Sequence, residues 1–123
     1  MRIAQPAVVL AFLAGCGGAP AKPEPTPEPT RTPLEIRQDA ACEQVGPRVI
    51  DCALNDLEAA TSPEELAKLD LDKMRAANIR KFTTACTGQY MSSRQVRVYE
   101  VCAAEETECE PLLACLDNAL PKK

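Results

Sequence analysis

Histidine and tryptophan are absent from this chain of 123 residues, and phenylalanine and tyrosine occur twice each. Each absence excludes something. Without histidine there is no Ser-His or Cys-His nucleophile pair, no imidazole metal ligand and no ordinary proton shuttle near neutral pH. Without large rings a core buries less area per residue, so a chain this short needs help beyond apolar burial. Cys-x-x-Cys pairs are missing, which removes the usual dithiol redox centre and weakens a four-cysteine zinc site. No cofactor or metal is expected. No apolar run reaches the roughly 20 residues of a membrane-spanning helix. A formal net charge of −4 makes a chain this small a poor holder of phosphate backbones, so nucleic acid is not an expected partner.

Cysteine and proline are what the chain does have. The cysteines are Cys16, Cys42, Cys52, Cys86, Cys102, Cys109 and Cys115. Setting Cys16 apart leaves an even set confined to the second part of the chain. In an exported protein that parity reads as three disulfides. The first residues support export. Met1 and Arg2 make a short positive start, and residues 3–13 are apolar apart from Gln5 and Pro6. That stretch has the size of a signal-peptide hydrophobic region.

It ends in Leu13, Ala14, Gly15 and Cys16. This run resembles the lipobox of bacterial lipoproteins at all four positions. The resemblance implies cleavage before Cys16, a diacylglyceryl group on its thiol and a further fatty acyl chain, palmitate for example, on its freed amine. Each buried methylene adds about 0.8 kcal/mol, so two or three chains make dissociation negligible. Gly17 stands where Asp would imply retention in the inner membrane, so the resemblance implies the outer membrane of a Gram-negative cell. Two other readings compete. An ordinary signal peptide would be cut near Ala19-Pro20-Ala21, where the proline argues against cleavage. A structural Cys16 would leave one odd thiol in an oxidising compartment.

Residues 17–33 carry prolines at 20, 23, 25, 27, 29 and 33. Proline so spaced prevents both helix and sheet. Extended polyproline at about 3.1 Å per residue would reach about 50 Å. The segment serves either as a semi-rigid stalk or as a disordered spacer, a linker in both cases.

Beyond it the period changes. Cys42, Val45, Val49, Cys52, Ala53, Leu57 and Ala60 recur at steps of three and four, the apolar stripe of a helix. The phase crosses Gly46 and Pro47, which predicts one kinked helix or two short ones meeting there. Ser62, Pro63 and Glu65 predict a helix start with a capping box, and Asp70 or Asp72 a second start. Leu66, Leu69, Leu71, Met74, Ile79, Phe82, Ala85 and Cys86 follow, with Gly88 suited to the C-terminus. Ser92 with Gln95 predicts another capped helix over Val96, Tyr99, Val101 and Cys102, although Val96 and Val98 also alternate as in a strand. Thr107 with Glu110 predicts a last cap before Leu112, Leu113, Leu116, Ala119 and Leu120. Pro111 falls in that helix's first turn.

The expected fold is therefore all-α. It is a small disulfide-stapled bundle of three to four helices after a disordered Pro-rich tether. The expected boundaries are 1–15 for the signal peptide, 16–33 for the lipidated cysteine and tether, and 34–123 for the six-cysteine domain. Comparing heights along an up-down bundle, at about 1.5 Å per residue, pairs Cys42 with Cys86, Cys52 with Cys115 and Cys102 with Cys109.

For chemistry, Glu105, Glu106, Glu108 and Glu110 form an acidic cluster. A carboxylate pair needs a concave site to work, and the cluster reads more simply as a solvated turn. Lys73, Arg75, Arg80 and Lys81 give the second helix a basic side, joined in sequence by Arg94 and Arg97. With the acidic turn this makes a charge-polarised surface that could dock a partner of either sign, although such charges more often only solvate a bundle. The expectation is a non-enzymatic accessory lipoprotein presenting a helical module to an envelope or surface protein. The alternative is an inhibitor or immunity-type lipoprotein that blocks an enzyme or toxin.

Overall fold

Thr32 opens the first helix. Its hydroxyl accepts from the Glu35 amide at 3.2 Å, and the Glu35 carboxylate accepts from the Thr32 amide at 2.7 Å. This reciprocal box, with Pro33 in the first position, satisfies amides that a helix start leaves orphaned. Helix α1 then runs Pro33–Ala60, 28 residues without a break. It takes in Pro33, which the proline spacing assigns to the tether. The computed structural model describes residues 17, 18 and 23–121. The chain divides between Thr30 and Arg31. Residues 23–30 are exposed and carry no helix or strand. The expected signal segment, Cys16 and residues 19–22 lie outside the described residues.

Neither a pair of helices nor a boundary appears at Gly46 and Pro47: α1 passes through both. Proline removes one donor, so the Glu43 carbonyl loses its helical partner. Gly46 is buried, and a Cβ there would lie 3.0 Å from Phe82 Cδ1 and 3.2 Å from Thr83 Oγ1. The absent side chain is what lets the next long helix approach.

That helix is reached through α2, Pro63–Leu66, capped by Ser62, which accepts from the Glu65 amide at 3.4 Å. Asp70 caps α3, Leu71–Gly88, accepting from Lys73 at 3.0 Å. Helix α3 returns antiparallel along α1, as the Cys42–Cys86 bridge and the Asp51–Arg75 pair farther up show. Gly88 ends it without a left-handed backbone; no described glycine has positive φ. One of its last carbonyls, and that of the residue after it, are reached from α1 instead. The buried Gln38 amide donates to the carbonyls of Cys86 and Gln89, both at 2.8 Å.

Ser92 and Gln95 form the second full capping box, starting α4, Ser93–Glu105. Residues 93–102 are thus helix, not strand, with Val96 fully buried and Val98 half-exposed. Arg37 ties α4 to α1 through the Glu100 carboxylate at 2.8 and 2.6 Å. Helix α5, Cys109–Leu116, begins after Glu108 and makes no side-chain cap. The Thr107 cap expected from Glu110 is therefore not formed, since the helix begins one position later than that box requires. The turn is held from outside: Arg48 of α1 donates to the carbonyls of Ala103 (2.8 Å) and Glu106. A short 3₁₀ turn, Asp117–Ala119, follows α5, with Gln95 donating to the Ala119 carbonyl at 3.1 Å.

The fold is all-helical among the described residues: five helices in which α1 is the spine, α3 packs chiefly on it, and α4 and α5 pack on it and on each other. The core is small. Cys42, Cys86, Met91 and Val96 form its cluster, with Leu34, Phe82 and Tyr99 against it. Cysteine fills positions that rings or leucines occupy in larger domains, consistent with the scarcity of aromatics.

Candidate functional site

The six domain cysteines form three bridges: Cys42–Cys86, Cys52–Cys109 and Cys102–Cys115. The first matches the height argument. The other two exchange partners relative to it, and helix geometry gives the reason. Residues 109 and 115 are six apart, so at about 100° per residue they point about 120° from one another. Cys109 faces α1 while Cys115 faces α4. Height alone is blind to this azimuth. Cys42, Cys52, Cys86 and Cys102 are each 4% exposed or less, as structural staples are.

Charge is distributed unevenly along the bundle. Above Cys52, α1 and α3 continue together as a hairpin with α2 at its tip. This arm, residues 53–78, carries Asp56, Glu58, Glu64, Glu65, Asp70 and Asp72 against Lys68, Lys73 and Arg75. Six minus three leaves a net −3. The turn between α4 and α5, pinned to the arm's base by Cys52–Cys109, adds Glu105, Glu106, Glu108 and Glu110. The sum over arm and turn is −7. The basic residues Arg80, Lys81, Arg94 and Arg97 lie on the parts of α3 and α4 nearer the start of α1. The predicted basic side is thus divided: Arg75 is tied to Asp51 at 2.5 and 2.9 Å, and Lys73 stands in the acidic end.

Three carboxylates are held below their ordinary range by what they bind. Asp51 is lowered by the hydrogen bonds from Arg75, Glu100 by those from Arg37, and Glu35 by the Thr32 amide. All three serve ties and caps. Burial alone pushes the Tyr99 phenol up.

Chain and known proteins do not meet: no family model, curated protein or solved structure matches. An open cleft of about 580 Å³ lies at the start of α1, lined by Leu34, Gln38, Tyr90 and Met91 among others. A second of about 230 Å³ lies beside Cys102–Cys115, with Val98, Val101 and Arg97 on its wall. Glu108 lines a third, about 150 Å³, with Arg48 and Asp51. Among the described residues no three cysteine or carboxylate side chains converge as a cation would need. No described helix is long and apolar enough to cross a membrane.

What the geometry offers is surface. In residues 53–85 nothing is buried, whereas Cys52 and Cys86, which flank them, are each 4% exposed. Leu54, Leu57, Leu71 and Met74, on the two helices of the arm, are only half-buried. The periodicity of α3 predicts an inward apolar stripe. The structure adds that one neighbour covers it incompletely, which a single helix's pattern does not reveal. Arg48 and Gln38, the residues that brace the fold at this spine, carry no sequence signal because both reach carbonyls about 50 residues away.

Proposed function

We propose that this chain is a non-enzymatic accessory lipoprotein, anchored through lipid on Cys16 in the cell envelope, most simply the outer membrane, and presenting a disulfide-stapled helical module to an envelope or surface protein. One observation carries the reading. The three bridges take every cysteine but Cys16, and Cys16 is the residue that completes Leu13-Ala14-Gly15-Cys16. A disulfide from Cys16 within the chain would require breaking one of the three pairs. The proline-rich stretch between Cys16 and the capped start of α1 supports a spacer between lipid and module. Braced carboxylates, open clefts and exposed apolar helix faces favour binding over catalysis.

The test is Cys16→Ser in the full chain, with metabolic labelling by palmitate. The expected result is loss of label and release from the membrane fraction, with disulfides and helicity unchanged. Continued membrane retention of an unlabelled chain would overturn the anchor. Co-purification from detergent-solubilised envelope then tests the module: a stoichiometric envelope partner supports it, and a chain that returns alone counts against it.

A further inference from the structure

We infer that the arm formed by the end of α1, α2 and the first turns of α3 is a docking groove for a basic amphipathic helix of the partner protein. The inference rests on the binding-module reading and names the chemistry of what is bound.

Among the described residues, no third element packs over the arm's apolar seam. Helices α4 and α5 meet α1 at and below Cys52, and α1 continues for about 12 Å beyond it. Over that stretch, among the described residues, α1 packs against α3 and against neither α4 nor α5. By the register that Cys42–Cys86 and Asp51–Arg75 set, Leu54 and Leu57 of α1 lie opposite Met74 and Leu71 of α3, and none of the four is buried; Leu69 near the tip is 38% exposed. Two helices side by side leave a groove into which the ridges of a third fit. A helix laid there would add above Cys52 the third layer that Val96 and Tyr99 of α4 supply beside Cys42 and Cys86.

Charge selects the occupant. The arm has a net −3 and the turn at its base adds four more carboxylates. Of the arm's three cations, Arg75 is tied to Asp51. A second copy docking arm to arm would bring two such acidic ends together, and an anionic lipid surface is repelled for the same reason. The chain's own residues 17–32 are too rich in proline to supply a helix. A helix with leucines on one face and lysines or arginines on its flanks satisfies both seam and rim.

The full chain in nonionic detergent is titrated with a Leu/Lys amphipathic peptide of about 18 residues, roughly five turns, and with its Leu/Glu counterpart. The readouts are fluorescence anisotropy and amide exchange. The expected result is binding of the Lys peptide only, weakening with salt, with exchange protection in residues 53–78. Met74→Gln and Leu69→Gln, at half-covered and exposed positions, should each weaken binding about tenfold or less, with unchanged melting. Equal binding of both peptides, protection confined to the α1 start, binding indifferent to both variants, or concentration-dependent dimerisation through the arm would each overturn the proposal. Should the peptide fail while a stoichiometric envelope partner is still recovered, the groove falls and the module reading stands.

Discussion

The side-chain amide of Gln38 donates to the carbonyl of Cys86 at 2.8 Å, 48 residues on. The same nitrogen donates to Gln89 at 2.8 Å, so one residue of α1 closes the end of α3 and sets the turn into α4. Gln38 is only 5% exposed, so water is poorly placed to substitute. Gln38→Leu keeps the volume and leaves both carbonyls without this donor. The expected loss is about 1–3 kcal/mol by urea denaturation. Gln38→Glu should be worse at neutral pH, where a carboxylate would face two carbonyl oxygens, and should recover towards acid as it protonates and can donate again. Equal stability of the two variants across pH would contradict this geometry.

Gly46 and Phe82 make the second prediction. Alanine at 46 would favour the helix by about 1 kcal/mol on propensity alone, but its Cβ would stand 3.0 Å from the ring and 3.2 Å from Thr83 Oγ1. Phe82 is half-exposed and can tilt by a few tenths of an ångström. The two effects should nearly cancel, leaving Gly46→Ala close to neutral. Gly46→Leu cannot be absorbed by a tilt and should cost about 1–3 kcal/mol through overpacking. Thermal melting of the oxidised protein measures both, and a leucine variant as stable as the alanine one would show that α3 does not lie this close.

These two contacts also mark where the sequence stops being informative. Ser62, Asp70 and Ser92 reveal helix starts because a cap involves residues three apart. The apolar steps of α1 and α3 reveal helices because burial repeats with the turn. Cys42 and Cys86 pair as expected because both lie on long helices whose antiparallel register follows from the turn between them. The failures are of other kinds. Thr107 and Glu110 spell a box, yet Arg48 holds that turn from a distant part of the chain and the helix starts after Glu108. The partners of Cys109 and Cys115 depend on azimuth, which shifts by about 100° with each residue of phase. The candidate groove is legible as two stripes, but that no third helix covers them belongs to the packing alone.

The bridges yield a third prediction. A peptide map made under non-reducing conditions should recover Cys42–Cys86, Cys52–Cys109 and Cys102–Cys115. Recovery of Cys102 joined to Cys109 would restore the pairing that height alone suggests and reject the azimuth argument. Their contributions should differ because they close loops of different size, with sequence separations of 44, 57 and 13. In the chain-entropy account the shortest contributes about 1.3 kcal/mol less than the longest. Paired alanine substitution at Cys102 and Cys115 should thus be the mildest of the three deletions. Complete reduction should abolish the cooperative transition, because the remaining core is little more than Val45, Met91, Val96 and Leu112.

Acid should weaken the domain in a definite window. Glu100 is held below its ordinary value of 4.5 by the two hydrogen bonds from Arg37. Asp51 is held below 3.8 by Arg75, and Glu35 below 4.5 by the Thr32 amide. For each group the folded state releases its proton more readily than the unfolded chain does. Their contribution is therefore fully present above the ordinary values. It fades as the pH falls through them to the lowered ones, where the unfolded state takes up protons first. All three groups are well solvated, so each effect is modest and screened by salt. Urea midpoints should be flat from pH 7 to about 5 and fall below about 4.5. In Glu100→Gln the fall should be shallower and the neutral-pH midpoint lower, because the charge that Arg37 binds is gone at every pH. An acid limb unchanged in Glu100→Gln, Asp51→Asn and Glu35→Gln alike would show that these ties carry none of the pH dependence.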